Sequence, residues 1–295
     1  VKRSLVLAAV AGLAVAAAGL TGCTPGRRYV DQVFSSTTKT TVAYRTIPDL
    51  TTGKPLTLVT DVYQPAGDTA AKRPVIVWIH GGGFKGGNRS SLADVAAAYA
   101  RRGYVTLSIE YRLDPGNRCQ ELQDGKITDP DEAAAEHDRC ERDITAAQND
   151  GLAAVGWVRR HAAEYRADPN RIAVGGGSAG AVTALNVAQR ANPGGGPMPS
   201  GTRVSAALAM SGCQYDPPAI DGNDAPISIL ASGGDQAVPF GCSVATLNAA
   251  KAAGTPTLGL LYPDESGHAL ALYKAHRAAV DQAWTAFLVD HLHLV

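Results

Sequence analysis

The sequence predicts an α/β fold: a mostly parallel sheet of about eight strands with helices on both faces. Short apolar, β-branched runs alternate along the chain with longer stretches of helical periodicity. One run, Pro74-Val-Ile-Val-Trp-Ile-His80, is almost continuously apolar, as a strand buried on both faces must be. The interior also lacks a linker of the kind that separates domains, so the 295 residues, 45% hydrophobic and 18% charged, are expected to share one large core.

Residues 40–47 and 56–63 read as strands around a turn at Gly53 to Pro55, an antiparallel hairpin. Further strands are expected over 74–80, 104–109, 171–175, 204–210, 227–232 and 257–262. Helices are expected between and after them, over 92–102, 144–165, 179–190, 244–253 and 272–292. Residues 114–142 break this rhythm with Pro, Gly, acids and two cysteines, and read as an insertion near one end of the sheet. A Gly- and Pro-rich patch over 192–201 reads as a surface loop, because it has no apolar face with which to cover a ligand.

The first residues follow a different logic. Lys2 and Arg3 precede an uncharged run over 5–20, which leads into Leu20-Thr21-Gly22-Cys23. This resembles a bacterial lipoprotein signal. The resemblance implies a signal peptide over 1–22, lipid on the Cys23 thiol, acylation of the new amino terminus, and a tether over 23–39. It also implies export and anchoring to the outer face of the bacterial cell membrane. A retained transmembrane helix fits less well, since the 16-residue run is shorter than the roughly 20 residues a span needs. Val1 is expected to mark an alternative start codon.

The other four cysteines are Cys119, Cys140, Cys213 and Cys242. An even count in an exported chain, with no Cys-x-x-Cys spacing, points to two disulfides rather than zinc. Of the three pairings, Cys119 with Cys140 is expected because both lie in the insertion. Cys213 with Cys242 is expected because both follow neighbouring strands. Charge adds an exclusion: 27 Lys plus Arg balance 27 Asp plus Glu, and no basic run is interleaved with aromatics, so nucleic acid is not an expected partner. No feature points to a protein partner.

Gly176-Gly177-Ser178-Ala179-Gly180 fits Gly-x-Ser-x-Gly, directly after a predicted strand and at the start of a predicted helix. A sharp strand-to-helix turn there lifts the Ser178 hydroxyl above the sheet and leaves no room for side chains two residues before or after it. The helix amino terminus also favours developing negative charge. The same residues, from Gly175, match the dinucleotide fingerprint Gly-x-Gly-x-x-Gly. That site wants an acid about 20 residues onward. None occurs between Ala181 and Tyr215.

His80-Gly81-Gly82-Gly83-Phe84 follows the buried strand, and a glycine loop there can present backbone N–H groups to an oxyanion. The amides of Gly82, Gly83 and Ala179 are the expected oxyanion hole, with His80 holding the loop. A nucleophilic serine needs a base and an acid, each in a loop after a strand. His268, after 257–262, is the expected base, and Asp235, after 227–232, the expected acid. Asp221 and Asp224 precede the latter strand and read as turn residues. His137, His161, His276, His291 and His293 read as surface or helix-face residues. The chemistry requires no metal or organic cofactor.

Together with Tyr111-Arg112-Leu113, these motifs resemble the bacterial carboxylesterase and acetyl-esterase branch of the α/β-hydrolase superfamily, near hormone-sensitive lipase, over about 40–292. The resemblance implies the α/β-hydrolase fold over 40–295 and a Ser178-His268-Asp235 triad acting on a small carboxylic ester. Two positions depart from it. Gly177 precedes Ser178 where many relatives have an acid, and Asp114-Pro115 stands where Ala-Pro is common. Short acyl or acetyl esters are the expected substrates. Peptidase or amidase action on the same scaffold, and non-catalytic surface binding, are the alternatives.

Overall fold

A computed structural model describes residues 26–189, 201–215 and 220–294. The expected signal peptide, Cys23, and the patch over 192–201 apart from Gly201 lie outside these residues.

Among the described residues one eight-stranded sheet has the order β1-β2-β4-β3-β5-β6-β7-β8. The strands are β1 (Thr37–Pro48), β2 (Pro55–Pro65), β3 (Arg73–Ile79), β4 (Val105–Ile109), β5 (Ala167–Gly177), β6 (Ala206–Met210), β7 (Ile227–Ser232) and β8 (Thr257–Tyr262). β1 and β2 form the expected antiparallel hairpin, β2 pairs antiparallel with β4, and all other pairs are parallel. The helices are α1 (Ala93–Ala100), α2 (Cys119–Gln123), α3 (Pro130–Arg160), α4 (Ala179–Ala188), α5 (Phe240–Ala252), α6 (Leu270–Ala275) and α7 (Arg277–His291).

Period-two alternation in β3 divides the core. Val75, Val77 and Ile79 pack with α3, α4 and α5, whereas Ile76 and Trp78 pack with α1, α6 and α7. Trp78 lies flat across β5 because residue 175 is glycine: a Cβ there would sit 2.5 Å from the indole. Trp284 of α7 completes this layer, its ring centroid 6.4 Å from that of Trp78 and its indole N–H donating to Ser228 Oγ at 2.9 Å.

Several elements differ from expectation. α3 begins at Pro130 rather than 144, because Asp129 caps it by accepting from the Glu132 N–H at 2.9 Å, with Pro130 in the first turn. Asp131 and Glu132 add favourable charge at that terminus but leave its first turns without an apolar stripe. The helix expected over 272–292 is two helices. His276 breaks them at φ −112°, ψ 21°, where its ring stacks on Tyr262 and bonds Glu265 at 2.6 Å.

From β3 the chain moves outward to β4, then returns to place β5 on the other side of β3. The carboxyl ends of β3 and β5 therefore adjoin, Ile79 opposite Gly176, at the point where strand order reverses. The glycine loop and Ser178 leave the sheet there.

Candidate active site

Ser178 joins β5 to α4 with φ 56° and ψ −126°. A non-glycine residue there is strained by about 1–3 kcal/mol and persists only where its surroundings over-determine it. They do so here: the Ser178 N–H donates to Met210 O at 2.9 Å, and its carbonyl accepts from Ala181 and Val182. A Cβ on Gly180 would collide with the Ile79 carbonyl, and one on Gly176 with the Gly180 carbonyl. The two glycines are thus a steric requirement of the turn.

The glycine loop packs against this turn, for a Cβ on Gly81 would lie 2.7 Å from Gly177 O and 3.0 Å from Ser178 Cβ. His80 is buried, stacks on Tyr111 and donates from Nδ1 to Gly81 O at 2.7 Å. Gly82 O accepts from the N–H groups of Lys85 and Gly86. In a planar trans peptide the N–H points away from its own carbonyl. Pinning the Gly81 and Gly82 carbonyls therefore aims the N–H groups of Gly82 and Gly83 in the opposite directions. His80 Nε2 lies 3.6 Å from Glu110 Oε2. Burial opposes ionisation of Glu110, but the nearby His80 ring and hydrogen bonds from Arg89 outweigh it and hold the carboxyl below its usual range.

Asp235 and His268 are brought together across two loops, with His268 Nδ1 2.9 and 2.8 Å from the two Asp235 oxygens. Burial disfavours the Asp235 carboxylate. Hydrogen bonds from His268, Ser211 and the N–H groups of Val238 and Ala237 overcome this and lower its pKa to about 2. With Nδ1 committed to Asp235, Nε2 is the nitrogen left for proton transfer. Ala269, next in the chain, meets the Ser178 turn: a Cβ on Gly177 would lie 3.3 Å from Ala269 Cβ.

Ser178, Ala179 and Gly83 line a cavity of about 100 Å³ whose far side is α2 together with Tyr215, Ala237 and Val238. α2 is tied across it, since Gln123 Nε2 donates to Ala237 O at 3.2 Å. A larger groove of about 590 Å³ runs between the β1–β2 turn and the segment after β4, and none of the expected site residues lines it. The disulfides pair as expected, Cys119 with Cys140 and Cys213 with Cys242. Asp221 and Asp224 form a turn, the Asp221 N–H donating to Asp224 Oδ2 at 2.8 Å.

Two serines in the site were missed by motif reasoning. Ser211 accepts from the Ala269 N–H at 2.8 Å and helps lower the Asp235 pKa, and Ser232 donates to Gly267 O at 2.7 Å. Both stand at the carboxyl ends of predicted strands, which is the signal that could have singled them out. His276, expected on a surface, braces the His268 loop from outside through Glu265.

This sheet, with the serine turn at the end of β5 and the Asp-His pair after β7 and β8, is the α/β-hydrolase fold. Residues 139–226 match a family described as alpha/beta hydrolase fold, and residues 60–126 match one described as BD-FAE. Among curated proteins the chain is similar to esterase LipI of Mycobacterium tuberculosis, 32% identical over 136 residues, covering 46% of this chain and 35% of the relative. It is also similar to carboxylesterase NlhH of the same species, 34% identical over 125 residues, covering 42% of this chain and 31% of the relative. The matches thus span about a third of the length of these relatives. Among solved structures, apo Thermogutta terrifontis esterase 2 superposes with a TM-score of 0.66 at 19% identity, covering 87% of this chain and 96% of that one.

Proposed function

We propose that this chain is a serine hydrolase of the carboxylesterase type that cleaves short acyl esters through an acyl-enzyme. One observation carries the reading: the Asp235–His268 pair is followed directly by Ala269, which abuts the turn that holds Ser178 at positive φ. The curated relatives called esterase and carboxylesterase support it.

In this reading His268 Nε2 takes the Ser178 proton as Oγ attacks the ester carbonyl, and Asp235 stabilises the imidazolium. The tetrahedral oxyanion is held by the N–H groups of Gly82, Gly83 and Ala179. His268 returns the proton to the leaving alcohol as the C–O bond breaks. Water then attacks the acyl-enzyme with His268 again as base, releasing the acid and restoring Ser178. Hydrolysis of p-nitrophenyl acetate and labelling by a fluorophosphonate probe should both vanish in Ser178→Ala. Retention of either would remove Ser178 from the role.

The leader belongs to the same proposal: Cys23 carries lipid and anchors the enzyme to the outer face of the cell membrane. Among the described residues no helix is long and apolar enough to cross a membrane. In bacterial cells, labelled palmitate should enter the wild type and not Cys23→Ser. Equal incorporation would sink the anchor.

A further inference from the structure

The segment that carries the first disulfide is built onto the glycine loop. Gly83 and Phe84 both have positive φ, 62° and 60°. Phe84 has a Cβ and pays in strain for that conformation, so something must hold it. Both carbonyls are tied to the turn after Leu113. Phe84 O accepts from the Asp114 N–H at 2.9 Å, and Gly83 O accepts from Asn117 Nδ2 at 3.2 Å. Asn117 is 1% exposed, and the same Nδ2 also donates to Asp143 Oδ2 at 3.1 Å. Asp143, wholly buried on α3, is fixed in turn by Arg142 at 2.7 Å. The Cys119–Cys140 bond joins the two segments, two residues after Asn117 and one helical turn before Asp143.

We infer that Asn117 is a positioning residue for the oxyanion hole: held between Asp143 and Gly83 O, it fixes the orientation from which the glycine loop presents its N–H groups. The proposal rests on the esterase reading of Ser178. The peptide before Gly83 is pinned by the turn to Lys85 and Gly86, and the peptide after it by Asn117. The Gly83 N–H belongs to the first of these peptides, so it stays aimed only while the turn from Gly82 to Gly86 keeps its shape, and the second peptide lies inside that turn. Without Asn117, the 83–84 peptide inside that turn is free to rotate, the strain at Phe84 favours that rotation, and the turn that aims the Gly83 N–H loosens with it.

A loosened oxyanion hole weakens the transition state more than the bound substrate, so the loss belongs in kcat. For the full chain acting on p-nitrophenyl acetate, Asn117→Ala should lower kcat by about tenfold or more with KM changed less than about twofold. Affinity for phenylboronic acid, whose serine adduct places an oxygen in the hole, should fall in parallel. Asn117→Asp keeps the shape but, ionised, cannot donate to Gly83 O, and should show the same loss. A folded variant with wild-type kcat, or a change confined to KM with boronate affinity intact, overturns the proposal. So does unfolding of both variants, which would make Asn117 a residue of the core alone. The esterase reading fails separately, by absence of Ser178-dependent turnover in the wild type.

Discussion

The backbone N–H of Ala269 donates to the Ser211 hydroxyl at 2.8 Å, and the same serine helps hold the Asp235 carboxyl below its usual range. One serine therefore sets both the loop that carries His268 and the acid that orients it. Ser211 is 1% exposed and holds φ 52°, a strained conformation for a residue with a side chain.

Ser211→Ala should lower kcat/KM for p-nitrophenyl acetate by about tenfold, the worth of one hydrogen bond to a charged group. Its Tm should fall by only a few degrees, because the fold on either side is held by β6 and β7. Steady-state kinetics with a thermal melt checks both. Wild-type kcat/KM in the folded variant would leave Ser211 with no part in holding the pair.

The Asp235 carboxyl makes a pH prediction. Its folded pKa of about 2 lies below the value of about 3.9 for an unperturbed Asp. A depressed acid stabilises the fold above the unfolded value, and that contribution is lost as pH falls through the folded value. The Tm advantage of wild type over Asp235→Asn should be full at pH 5, shrink between pH 4 and 2, and vanish below. Melts across that range test it, and an advantage independent of pH would mean the carboxylate adds nothing through its charge.

How much of this was legible in the sequence varies by residue. Ser178 and its glycines were, because the steric demand of the turn acts within two residues and leaves a local pattern. Asp235 and His268 follow from strand order, since each stands just past a readable strand. Ser211 was not, because its bond to Ala269 spans 58 positions and demands only a hydroxyl. Asn117 was hidden in the same way inside a polar stretch, where its burial comes from α3. The start of α3 escaped for a different reason: a capped, acid-rich first turn has no apolar period to read.

The wall of the cavity beside Ser178 predicts acyl preference. The cavity offers about 100 Å³ beside Ser178, a small space for an acyl chain. Acetyl and propionyl groups should enter it more readily than an octanoyl chain while Gln123 holds α2 to Ala237. The kcat/KM for p-nitrophenyl acetate should exceed that for the octanoate by about tenfold or more, since a chain too long for the cavity keeps the ester carbonyl from seating against Ser178. Gln123→Ala should narrow the ratio. A profile rising with chain length would place the acyl group elsewhere.

The second disulfide acts on the acid loop. Cys213 follows β6 two residues after Ser211, and Cys242 lies in the first turn of α5, just after the loop that carries Asp235. The bond thus ties the residue that supports Asp235 to the helix that ends its loop. Opening it also releases a cross-link of sequence separation 29, worth about 3.6 kcal/mol in chain entropy. Cys213→Ser with Cys242→Ser should therefore lose several degrees in Tm and, below the melt, several-fold in kcat. The Cys119→Ser, Cys140→Ser pair should disturb the acid loop less, because α2 meets that loop through the single bond from Gln123 to Ala237 O. The contrast lies in the Asp235 titration: the Cys213, Cys242 pair should weaken the difference in acid stability between wild type and Asp235→Asn more than the Cys119, Cys140 pair does. Equal weakening by both pairs would show that neither disulfide acts locally.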